Sequence, residues 1–424
     1  MRLALNNGKA FVDGKAAEAN VLIEAGKIIS VSKKKMGAEK EIDCAGRLIL
    51  PAAIDVHVHF RIPGFSYKED WISGSLAALH GGVATVMDMP NTEPPTATLA
   101  ALEEKRALIA KDAAVNFDLY KAATGNNLGE IEKACAKGLR AVKLYYGSTT
   151  GNLLMNDMGG IAELFSLAKE RNFIVVAHAE DEAEIRKNEG KFRGEKNPAV
   201  HAKIRTAEAE EKAILDLIGL QAKIGNRLHI AHLSSRRGLE AVKKGKKGRH
   251  GKSVSCEATP NHLFLDSSDY AELGNLIKCN PSIKSPADRK ALWSGLKSGA
   301  IDMAATDHAP HSMQEKGKGY WDCPSGIPGV ETMLPMLLDA VNRKEITLAR
   351  VVRAASENPA MIFRWDSKGF IREGFDADLA IVDMKRAHTV ENAALFTKAG
   401  YSPFNGRKLK GFVEKTIVGG NVFG

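Results

Sequence analysis

The sequence lacks the cysteine patterns that stabilise small secreted domains or bind zinc. It has five cysteines in 424 residues, and the two nearest, Cys256 and Cys279, are 23 residues apart. No pair has the Cys-x-x-Cys spacing of a zinc motif, and an odd number does not fit a framework of paired disulfides. A disulfide scaffold and a cysteine zinc site are therefore excluded.

Long apolar runs are missing as well. No stretch approaches the roughly 18 apolar residues that a membrane-spanning helix needs, and the N-terminus has no signal-peptide core. The 44% hydrophobic and 26% charged fractions are typical of a globular enzyme and exclude a disordered or fibrous chain. We therefore expect a cytoplasmic protein with no membrane partner.

Acidic residues are scarcer than basic ones, with 51 Asp and Glu against 60 Lys and Arg, so that the formal net charge is +9. Such a surplus can reflect a nucleic acid, an anionic membrane, an acidic substrate or solubility alone. The densest basic run, residues 241–252, has six Lys and Arg and no acid, but no aromatic residues alternate with them as in a nucleic-acid-binding surface. We interpret this run as a solvated loop and expect no nucleic-acid partner.

Both ends of the chain contain short strand-like runs separated by turn residues. The N-terminal runs are residues 2–5, 10–12, 19–24, 27–31 and 47–50, with hairpin turns at Asn6-Asn7-Gly8, Asp13-Gly14 and Ala25-Gly26. The C-terminal runs are residues 378–382, 411–418 and 421–423. Neither end alone has enough strands for a stable core. We therefore predict one small β-sandwich-like domain from residues 1–52 and 366–424, with residues 53–365 inserted as a second domain.

The inserted part alternates apolar strand-like runs with helical stretches. The strand-like runs are residues 54–58, 83–87, 115–120, 141–145, 173–177, 227–231, 253–255 and 301–305. The helical stretches include residues 97–111, 160–171, 206–224, 286–297 and 330–341. Eight strand–helix units in about 310 residues predict an α/β fold, a (β/α)₈ TIM-type barrel. The seventh strand, which is short and rich in serine, has the weakest pattern.

Polar residues follow these strands where a barrel places its chemistry, because catalytic residues gather at the carboxyl ends of barrel strands. These positions hold His57, His59, Asn91, Lys143, His178, His232, His262 and Asp307. His57 and His59 have the period-two spacing that directs both imidazoles to one face of a strand. A lone pair of this kind can be structural, but the whole set predicts a metal site.

Four histidines and one aspartate exceed the four positions of a single zinc ion and suit two metals that share an anionic bridge. Lys143 is the candidate bridge. An apolar barrel wall would lower its pKa and leave a nucleophilic amine, and reaction with carbon dioxide would give a bidentate carbamate. The alternative is an ordinary lysine that extends to solvent or pairs with Asp307.

With these residues, the chain resembles the amidohydrolase superfamily and, within it, the dihydroorotases, over nearly its full length. The segments that resemble the family are residues 55–64 (Asp-Val-His-Val-His-Phe-Arg-Ile-Pro-Gly), 68–70 (Lys-Glu-Asp), 89–92 (Met-Pro-Asn-Thr), 305–311 (Ala-Thr-Asp-His-Ala-Pro-His), 328–335 and 369–379. The resemblance implies a metal-dependent cyclic amide hydrolase that interconverts N-carbamoyl-L-aspartate and dihydroorotate in pyrimidine biosynthesis.

The resemblance also implies roles for individual residues. It implies two divalent metal ions, with Zn²⁺ the first candidate, bound by four histidines: His57 and His59 for the first, His178 and His232 for the second. Carbamylated Lys143 would bridge them, and Asp307 would ligate a metal and act as general acid and base toward a bridging hydroxide. Some dihydroorotases use a loop aspartate as the bridge. The first carboxylate after Lys143 is Asp157, so we favour the lysine.

The predicted substrate contacts are separate from the metal ligands. The resemblance implies that the ring carboxylate is bound by Arg61, Asn91 and His311, and the ring by Asn280 and the backbone of Ser325 and Gly326. The guanidinium of Arg61 is a planar fork of donors that suits a carboxylate. Each residue alone has a plain alternative, since Arg61 could lie on the surface, Asn91 in a turn and His311 in a loop.

Other functions stay open at this point. One alternative is a hydantoinase-, dihydropyrimidinase- or allantoinase-like enzyme, and a less favoured one is a non-catalytic scaffold homologue, which would typically have lost metal ligands. A homo-oligomer and an association with aspartate transcarbamoylase are both compatible with the resemblance. Residues 147–157 could form a lid or a surface connection, and His262 could lie near the site or be structural. We interpret the remaining histidines as structural or exposed: His80, His201, His229, His250 and His388.

Overall fold

The computed structural model describes residues 2–148 and 153–424. Its first strands are β1 (Arg2–Val12), β2 (Lys15–Glu24), β3 (Lys27–Ser32), β4 (Lys40–Asp43) and β5 (Leu48–Pro51). The hairpin turn predicted at Asn6-Asn7-Gly8 is wrong, because β1 continues through a bulge there. The register with β2 shifts between Leu5 and Gly8, and Asn7 has a φ of 57°. The Asn7 amide donates to Asn20 Oδ1 at 2.7 Å, which satisfies the donor that the bulge removes from the ladder.

The central part of the chain follows the predicted order of strands. They are β6 (Ala53–Val58), β7 (Val83–Asp88), β8 (Asn116–Leu119), β9 (Lys121–Ala122), β10 (Ala141–Tyr145), β11 (Ile174–His178), β12 (Arg227–Ile230), β13 (Val254–Ala258) and β14 (Met303–Ala304). β8 and β9 flank Tyr120 and together occupy the third position. The seventh strand, predicted at residues 253–255, extends to Ala258 and buries every residue, including an acid at position 257.

These strands form a closed parallel barrel. β6, β7 and β8 form one parallel ladder, and β9 to β14 form another. The ladders are joined by the chain itself between β8 and β9, and by a parallel bridge between Val58 and His308. At that bridge the His59 amide donates to His308 O at 2.8 Å. The predicted (β/α)₈ fold is therefore confirmed, and its strand carboxyl ends meet at one mouth.

Helices surround the barrel strands. They are α1 (Trp71–His80), α2 (Leu99–Ile109), α3 (Leu128–Cys135), α4 (Met158–Arg171), α5 (Glu182–Lys191), α6 (His201–Ile204), α7 (Ala207–Ile224), α8 (Arg236–Lys246), α9 (Pro260–Phe264), α10 (Tyr270–Leu273), α11 (Pro286–Ser298), α12 (Met313–Lys316), α13 (Met333–Asn342), α14 (Leu348–Val352) and α15 (Asn358–Phe363). Within the described ranges, none of them combines the length and apolarity of a bilayer-crossing helix. The basic run at residues 241–252 starts inside α8 instead of forming a separate loop, and Lys246 pairs with Asp302.

Capping side chains fix where several of the longer helices begin. Asp70 caps α1, Thr206 caps α7 and Ser285 caps α11, each by accepting a hydrogen bond from a backbone amide of the first turn. Asp157 does the same for α4, since its Oδ2 accepts from the Gly160 amide at 2.7 Å. These caps fix the residue at which each helix begins in the segment that follows a barrel strand.

The last strands return to the N-terminal ones. They are β15 (Leu379–Thr389), β16 (Lys408–Val418) and β17 (Asn421–Phe423). β15 pairs antiparallel with β5, so one mixed eight-stranded sheet contains strands from both termini, in the order β17-β16-β15-β5-β1-β2-β3 with β4 beside β1. Its apolar core draws on both ends, with Leu5, Ile49 and Ile417 fully buried. The exact limits of the domains, at residues 52 and 366, stay a prediction.

Candidate metal centre and active site

One cavity at the mouth of the barrel collects nearly all the predicted site residues. Its wall is formed by His57, His59, Arg61, Asn91, Lys143, Tyr145, His178, His232, Asn280, Asp307, Ala309, Ser325 and Gly326. These residues come from strand ends and from the segments that follow them, up to 269 positions apart in sequence, from 57 to 326. The structure therefore brings together every predicted site residue except His311, whose ring lies behind Arg61 and Ser325.

Three ligand-type side chains converge on one point of this cavity. Asp307 Oδ1 is 3.2 Å from His57 Nε2 and 3.0 Å from His59 Nε2. The three ligand atoms all lie within 4.8 Å of one another, a spacing that could hold a metal ion. Burial lowers the pKa of His59 to about 4, although the neighbouring Asp307 opposes the shift.

The hydrogen bonds made by Nδ1 of His57 and His59 show that Nε2 is the nitrogen with a lone pair toward the cavity. His57 Nδ1 donates to Glu257 Oε1 at 2.5 Å, and His59 Nδ1 donates to Asn91 Oδ1 at 2.7 Å. In a neutral ring the Nε2 atom then has no proton. Two imidazole lone pairs and a carboxylate oxygen therefore point at one another, an arrangement that a cation would stabilise.

A second group lies across the cavity. His178 Nδ1 and His232 Nε2 are 3.0 Å apart, and His178 Nε2 donates to Glu180 Oε2 at 2.9 Å. Glu180 is also paired with Arg205, and it is fully buried. His178 thus presents the lone pair of Nδ1 toward His232, and two imidazoles again face a common point.

Lys143 lies on β10, which pairs with β11, the strand that ends at His178. Burial lowers the pKa of its amine to about 8, although the charges of Glu257 and Asp307 oppose the shift. Within residues 2–148 and 153–424, Lys143 Nζ has no hydrogen-bond partner. The alternative of a lysine that pairs directly with Asp307 is therefore not what this geometry shows.

Three site residues adopt the left-handed backbone region that non-glycine residues avoid. The φ angles are 67° at Arg61, 37° at His232 and 48° at Asp307. Such conformations cost on the order of 1–3 kcal/mol each and persist where the surroundings impose them. All three lie two or three residues beyond the end of a barrel strand, and all three line the cavity at the mouth.

Glu257 is the main functional residue that sequence reasoning missed. Besides bonding His57, its Oε1 accepts from the His232 amide at 3.2 Å, and its Oε2 accepts from His229 Nε2 at 3.0 Å. Burial raises its pKa, but His57 and His229 reverse the shift and hold the carboxyl ionised. The available signal was an acid two residues after the predicted seventh strand, residues 253–255. Glu180 was also missed, and its signal was an acid two residues after the predicted ligand His178.

The predicted carboxylate contacts lie beside the first histidine pair. Arg61 is buried, and its Nε and Nη2 both donate to Pro310 O, at 3.2 and 3.1 Å. These bonds fix the plane of the guanidinium in the cavity wall. Asn91 lines the same wall, with its carbonyl turned to His59.

The predicted ring contacts form the opposite edge of the cavity. Asn280 Oδ1 is 3.0 Å from Nε2 of the buried His201. The Gly326 amide donates to Lys278 O at 2.9 Å, and a Cβ at Gly326 would come within 2.4 Å of Ala309 O. Glycine is therefore required at position 326, where the φ is 153°.

Other sequence predictions have different outcomes. Asp157 is exposed, is occupied as the cap of α4 and does not line the cavity, so the structure gives no support to it as a bridge. Residues 149–152 of the predicted 147–157 lid lie outside the described residues. His262 is buried and bonds Thr259 and Pro281 O, apart from the cavity wall. His201 and His229 are buried and support site residues.

Comparisons with known proteins agree with this geometry. A model of the amidohydrolase family matches residues 48–423. A dihydroorotase from Methanosarcina acetivorans is 36% identical over 427 residues, covering 99% of this chain and 91% of that protein. One from Halobacterium salinarum is 40% identical over 379 residues, covering 88% and 85%. The solved L-hydantoinase (dihydropyrimidinase) from Arthrobacter aurescens superposes with a TM-score of 0.95 at 29% identity, over 99% of this chain and 95% of that one. The chain therefore belongs to the amidohydrolase family and, within it, to the dihydroorotases.

Proposed function

We propose that this protein catalyses the reversible cyclisation of N-carbamoyl-L-aspartate to (S)-dihydroorotate and water, a step of pyrimidine biosynthesis. The observation that supports it best is the position of Arg61. A buried guanidinium lies in the wall of the same cavity as the convergent histidines and Asp307. A cyclic amide with a ring carboxylate would fit both parts of this cavity, with the carboxylate at Arg61 and the amide at the histidines and Asp307.

We also propose two divalent metal ions, with zinc the best fit to a set rich in imidazole. His57, His59 and Asp307 would hold one, and His178 and His232 the other. Lys143 would join them as a carbamate, formed when its amine adds to carbon dioxide and releases one proton. When bound, the metals would lower the pKa of a water molecule and polarise the amide carbonyl.

The chain's own residues supply orientation and proton transfer. The carboxylate of Asp307 would accept a proton and deliver it to the ring nitrogen that leaves, so that the same side chain works in both directions of the reaction. Arg61 would bind the ring carboxylate through its Nη1, since Nε and Nη2 are engaged by Pro310 O. Asn91 and His311 would support that subsite, and Asn280 with the Ser325-Gly326 backbone would hold the ring.

A second candidate is hydantoin or dihydropyrimidine hydrolysis. The superposition on the L-hydantoinase favours it, because that enzyme shares the fold at 29% identity over nearly the whole chain. Arg61 argues against it, since a ring without a carboxylate would leave this buried guanidinium without an anionic ligand. A non-catalytic scaffold is less favoured, because no predicted metal-ligand position has been lost.

An assay with purified protein and three substrates tests the proposal. Metal-loaded protein should hydrolyse dihydroorotate and form it from N-carbamoyl-L-aspartate, with kcat/KM at least about 100-fold above that for hydantoin or allantoin, about 2.7 kcal/mol of discrimination. Preferred turnover of hydantoin would refute the proposal in favour of the second candidate. Metal analysis of the same sample should find about two divalent ions per chain.

Location and assembly stay predictions. We propose a cytoplasmic enzyme that acts on a small molecule and needs neither nucleic acid nor membrane. A homo-oligomer and an association with aspartate transcarbamoylase are both consistent with membership of the dihydroorotases. Sedimentation of the protein, alone and mixed with aspartate transcarbamoylase, would decide both points.

A further inference from the structure

One buried lysine holds the Ser325-Gly326 segment at the edge of the cavity. Lys316, the last residue of α12, is 2% exposed. Its Nζ donates to three carbonyl oxygens, those of Lys278 at 3.2 Å, Pro324 at 3.1 Å and Gly326 at 3.1 Å. The three N–H donors of an ammonium group thus match three acceptors. Ser325 and Gly326 line the cavity and Lys316 does not, so the lysine holds this segment from behind.

The partners of this buried charge are carbonyl dipoles. Burial lowers the pKa of the Lys316 amine to about 8, so at neutral pH the group is still mostly an ammonium. The carboxylate of the preceding residue, Glu315, is paired with Lys68 at 2.9 Å. Among the residues that the structure describes, no carboxylate pairs with Lys316 itself. The three carbonyl oxygens therefore compensate the buried ammonium, and the ammonium in turn fixes their directions.

The segment has two backbone N–H donors, and the protein itself uses only one of them. The Gly326 amide donates to Lys278 O at 2.9 Å. The Ser325 amide has no hydrogen-bond partner within residues 2–148 and 153–424, although the residue is half-buried. Backbone amides that are shielded from water normally have a partner. The Ser325 N–H is therefore the donor that this segment has left for a ligand.

The planarity of the peptide bond determines where this amide points. In a trans peptide the C=O and N–H groups lie in one plane and point in opposite directions. The peptide between Pro324 and Ser325 is trans, and its carbonyl points to Lys316. Its N–H consequently points away from the lysine, to the side on which Ser325 lines the cavity.

We propose that Lys316 is a positioning residue for the substrate ring: by holding the carbonyls of Pro324 and Gly326, it directs the Ser325 N–H into the cavity, where this amide donates to a carbonyl oxygen of the ring. The inference deepens the proposed function and rests on it, since it requires a cyclic amide as substrate. It does not require the ring carboxylate, because dihydroorotate and hydantoin both have ring carbonyl oxygens. Lys316 acts through the segment in front of it.

The effect belongs to binding more than to the chemical step. Among the described residues, no hydrogen bond or ion pair joins Lys316 to Asp307 or to the four histidines of the candidate metal centre. Those side chains keep their own partners when the ammonium is lost. Removal of the ammonium should therefore raise KM and leave kcat and metal content nearly unchanged.

The kinetic test uses a graded pair of variants of the metal-loaded enzyme. Lys316→Met has no donor, and we expect KM for dihydroorotate to rise about tenfold with kcat within about threefold of wild type. Lys316→Gln keeps two N–H donors on a shorter stem, so its KM should rise only about threefold, and it replaces Lys316→Met if that variant does not fold. An unchanged KM in the folded variants overturns the inference, as does a fall in kcat accompanied by loss of metal.

Lys318→Met is the matched control for these variants. Lys318 is exposed and lies two positions further along the same segment, so the substitution removes the same charge without reaching the Ser325 peptide. Its KM should equal that of wild type. An equal rise of KM in Lys318→Met and Lys316→Met would trace the effect to net charge and would contradict the positioning role.

The Ser325 amide itself provides a readout that a merely structural role would not move. In protein labelled with ¹³C-carbonyl proline and ¹⁵N-serine, a carbonyl-filtered spectrum shows only the two Pro-Ser peptides of the chain, 281–282 and 324–325. Ser325→Ala identifies the second signal by its absence. Saturating orotate, whose ring has the same carboxylate and carbonyls as dihydroorotate, should move the Ser325 amide proton downfield in wild type and clearly less in Lys316→Met. Bound orotate that leaves this signal in place overturns the inference.

Failure of the proposed function gives a different result. If wild type prefers hydantoin to dihydroorotate, the proposed function is refuted, and KM for hydantoin in the same variants still decides the role of Lys316. If wild type turns over no cyclic amide, both the proposed function and the role of Lys316 are refuted.

Discussion

The two halves of the candidate metal centre are built differently. In the first half, His57 and His59 each donate a hydrogen bond from Nδ1, to Glu257 and Asn91, and both face Asp307. In the second half, His178 is held by Glu180, but three buried polar atoms there have no hydrogen-bond partner in the described ranges 2–148 and 153–424: His232 Nδ1, Lys143 Nζ and Glu180 Oε1. Hydrogen bonds within the chain orient the first half almost completely and the second only in part.

The difference shows that the second half depends on bound ligands to satisfy its buried polar atoms. A buried polar group without a partner costs about 1–3 kcal/mol, and a buried amine is more costly when charged. The second half carries this cost at three atoms, and carbamylation with metal binding would remove it at Lys143 by converting the amine into a ligand. The first half is preorganised, and the second is completed by its ligands.

The largest expected effect comes from removing the amine of the second half. Lys143→Met should lower kcat for dihydroorotate about 10⁴-fold, because the bridging anion and with it the metal pair are lost, and metal catalysis contributes several kcal/mol. Metal content by elemental analysis should fall from about two ions per chain to one or none. Mass spectrometry of the native wild-type protein should show the added carbon dioxide at Lys143.

Lys121 offers a matched control for that variant. Its amine is also buried without a described partner, and burial lowers its pKa to about 8 as well, yet it lies outside the cavity wall. Lys121→Met should keep both metals and nearly full activity. Full metal content in Lys143→Met, or equal losses in the two variants, would remove the distinction between the halves.

A smaller loss of kcat is expected from a substitution in the first half that keeps the shape of the side chain but removes its basic carboxylate. Asp307→Asn should lower kcat about 10³-fold, the scale of general acid–base catalysis, because the amide cannot accept and return the proton. Metal content should stay close to that of wild type, since both histidines of this half keep their hydrogen bonds. Near-wild-type turnover in this variant would contradict the role of Asp307.

The smallest effect concerns the carboxylates behind the ligands. Glu257→Gln and Glu180→Gln should each weaken metal binding about 10–100-fold, as measured by competition with a chelator, because a neutral amide is a weaker partner for the imidazole N–H. We expect the larger loss for Glu257, which bonds His57, His229 and the amide of His232. A larger loss for Glu180→Gln would mean that the second half depends more on the chain than the geometry indicates.

Much of this architecture was predictable because its signals are local. His57 and His59 are two residues apart at the end of a strand, so the period of a β-strand alone places both imidazoles on one face. His178 and Lys143 likewise belong to apolar runs that the structure finds as β11 and β10. The strands of the two termini were expected to pair with each other because neither end has enough strands for a stable core. In the structure β5 pairs with β15.

The errors arose where long-range contacts override a local pattern. Asn6-Asn7-Gly8 has turn chemistry, but β4 and β5 pair with the two halves of β1 and keep it extended through a bulge. Glu257 was passed over because an acid in a strand has no visible function until His57, 200 positions earlier, is placed beside it. His311 was expected in the cavity and lies behind it, between Arg61 and Lys68.

By itself, the sequence determined the barrel, the side chains at its strand ends and the family to which the chain belongs, because periodicity and motif spacing are properties of short segments. Only the tertiary structure decided which nitrogen of each imidazole faces the cavity, which lysine amine is left without a partner and which acids stand behind the ligands. Those properties depend on hydrogen-bond partners that come from distant strands. A proton or a lone pair is assigned by the neighbour in space, and sequence order does not specify that neighbour.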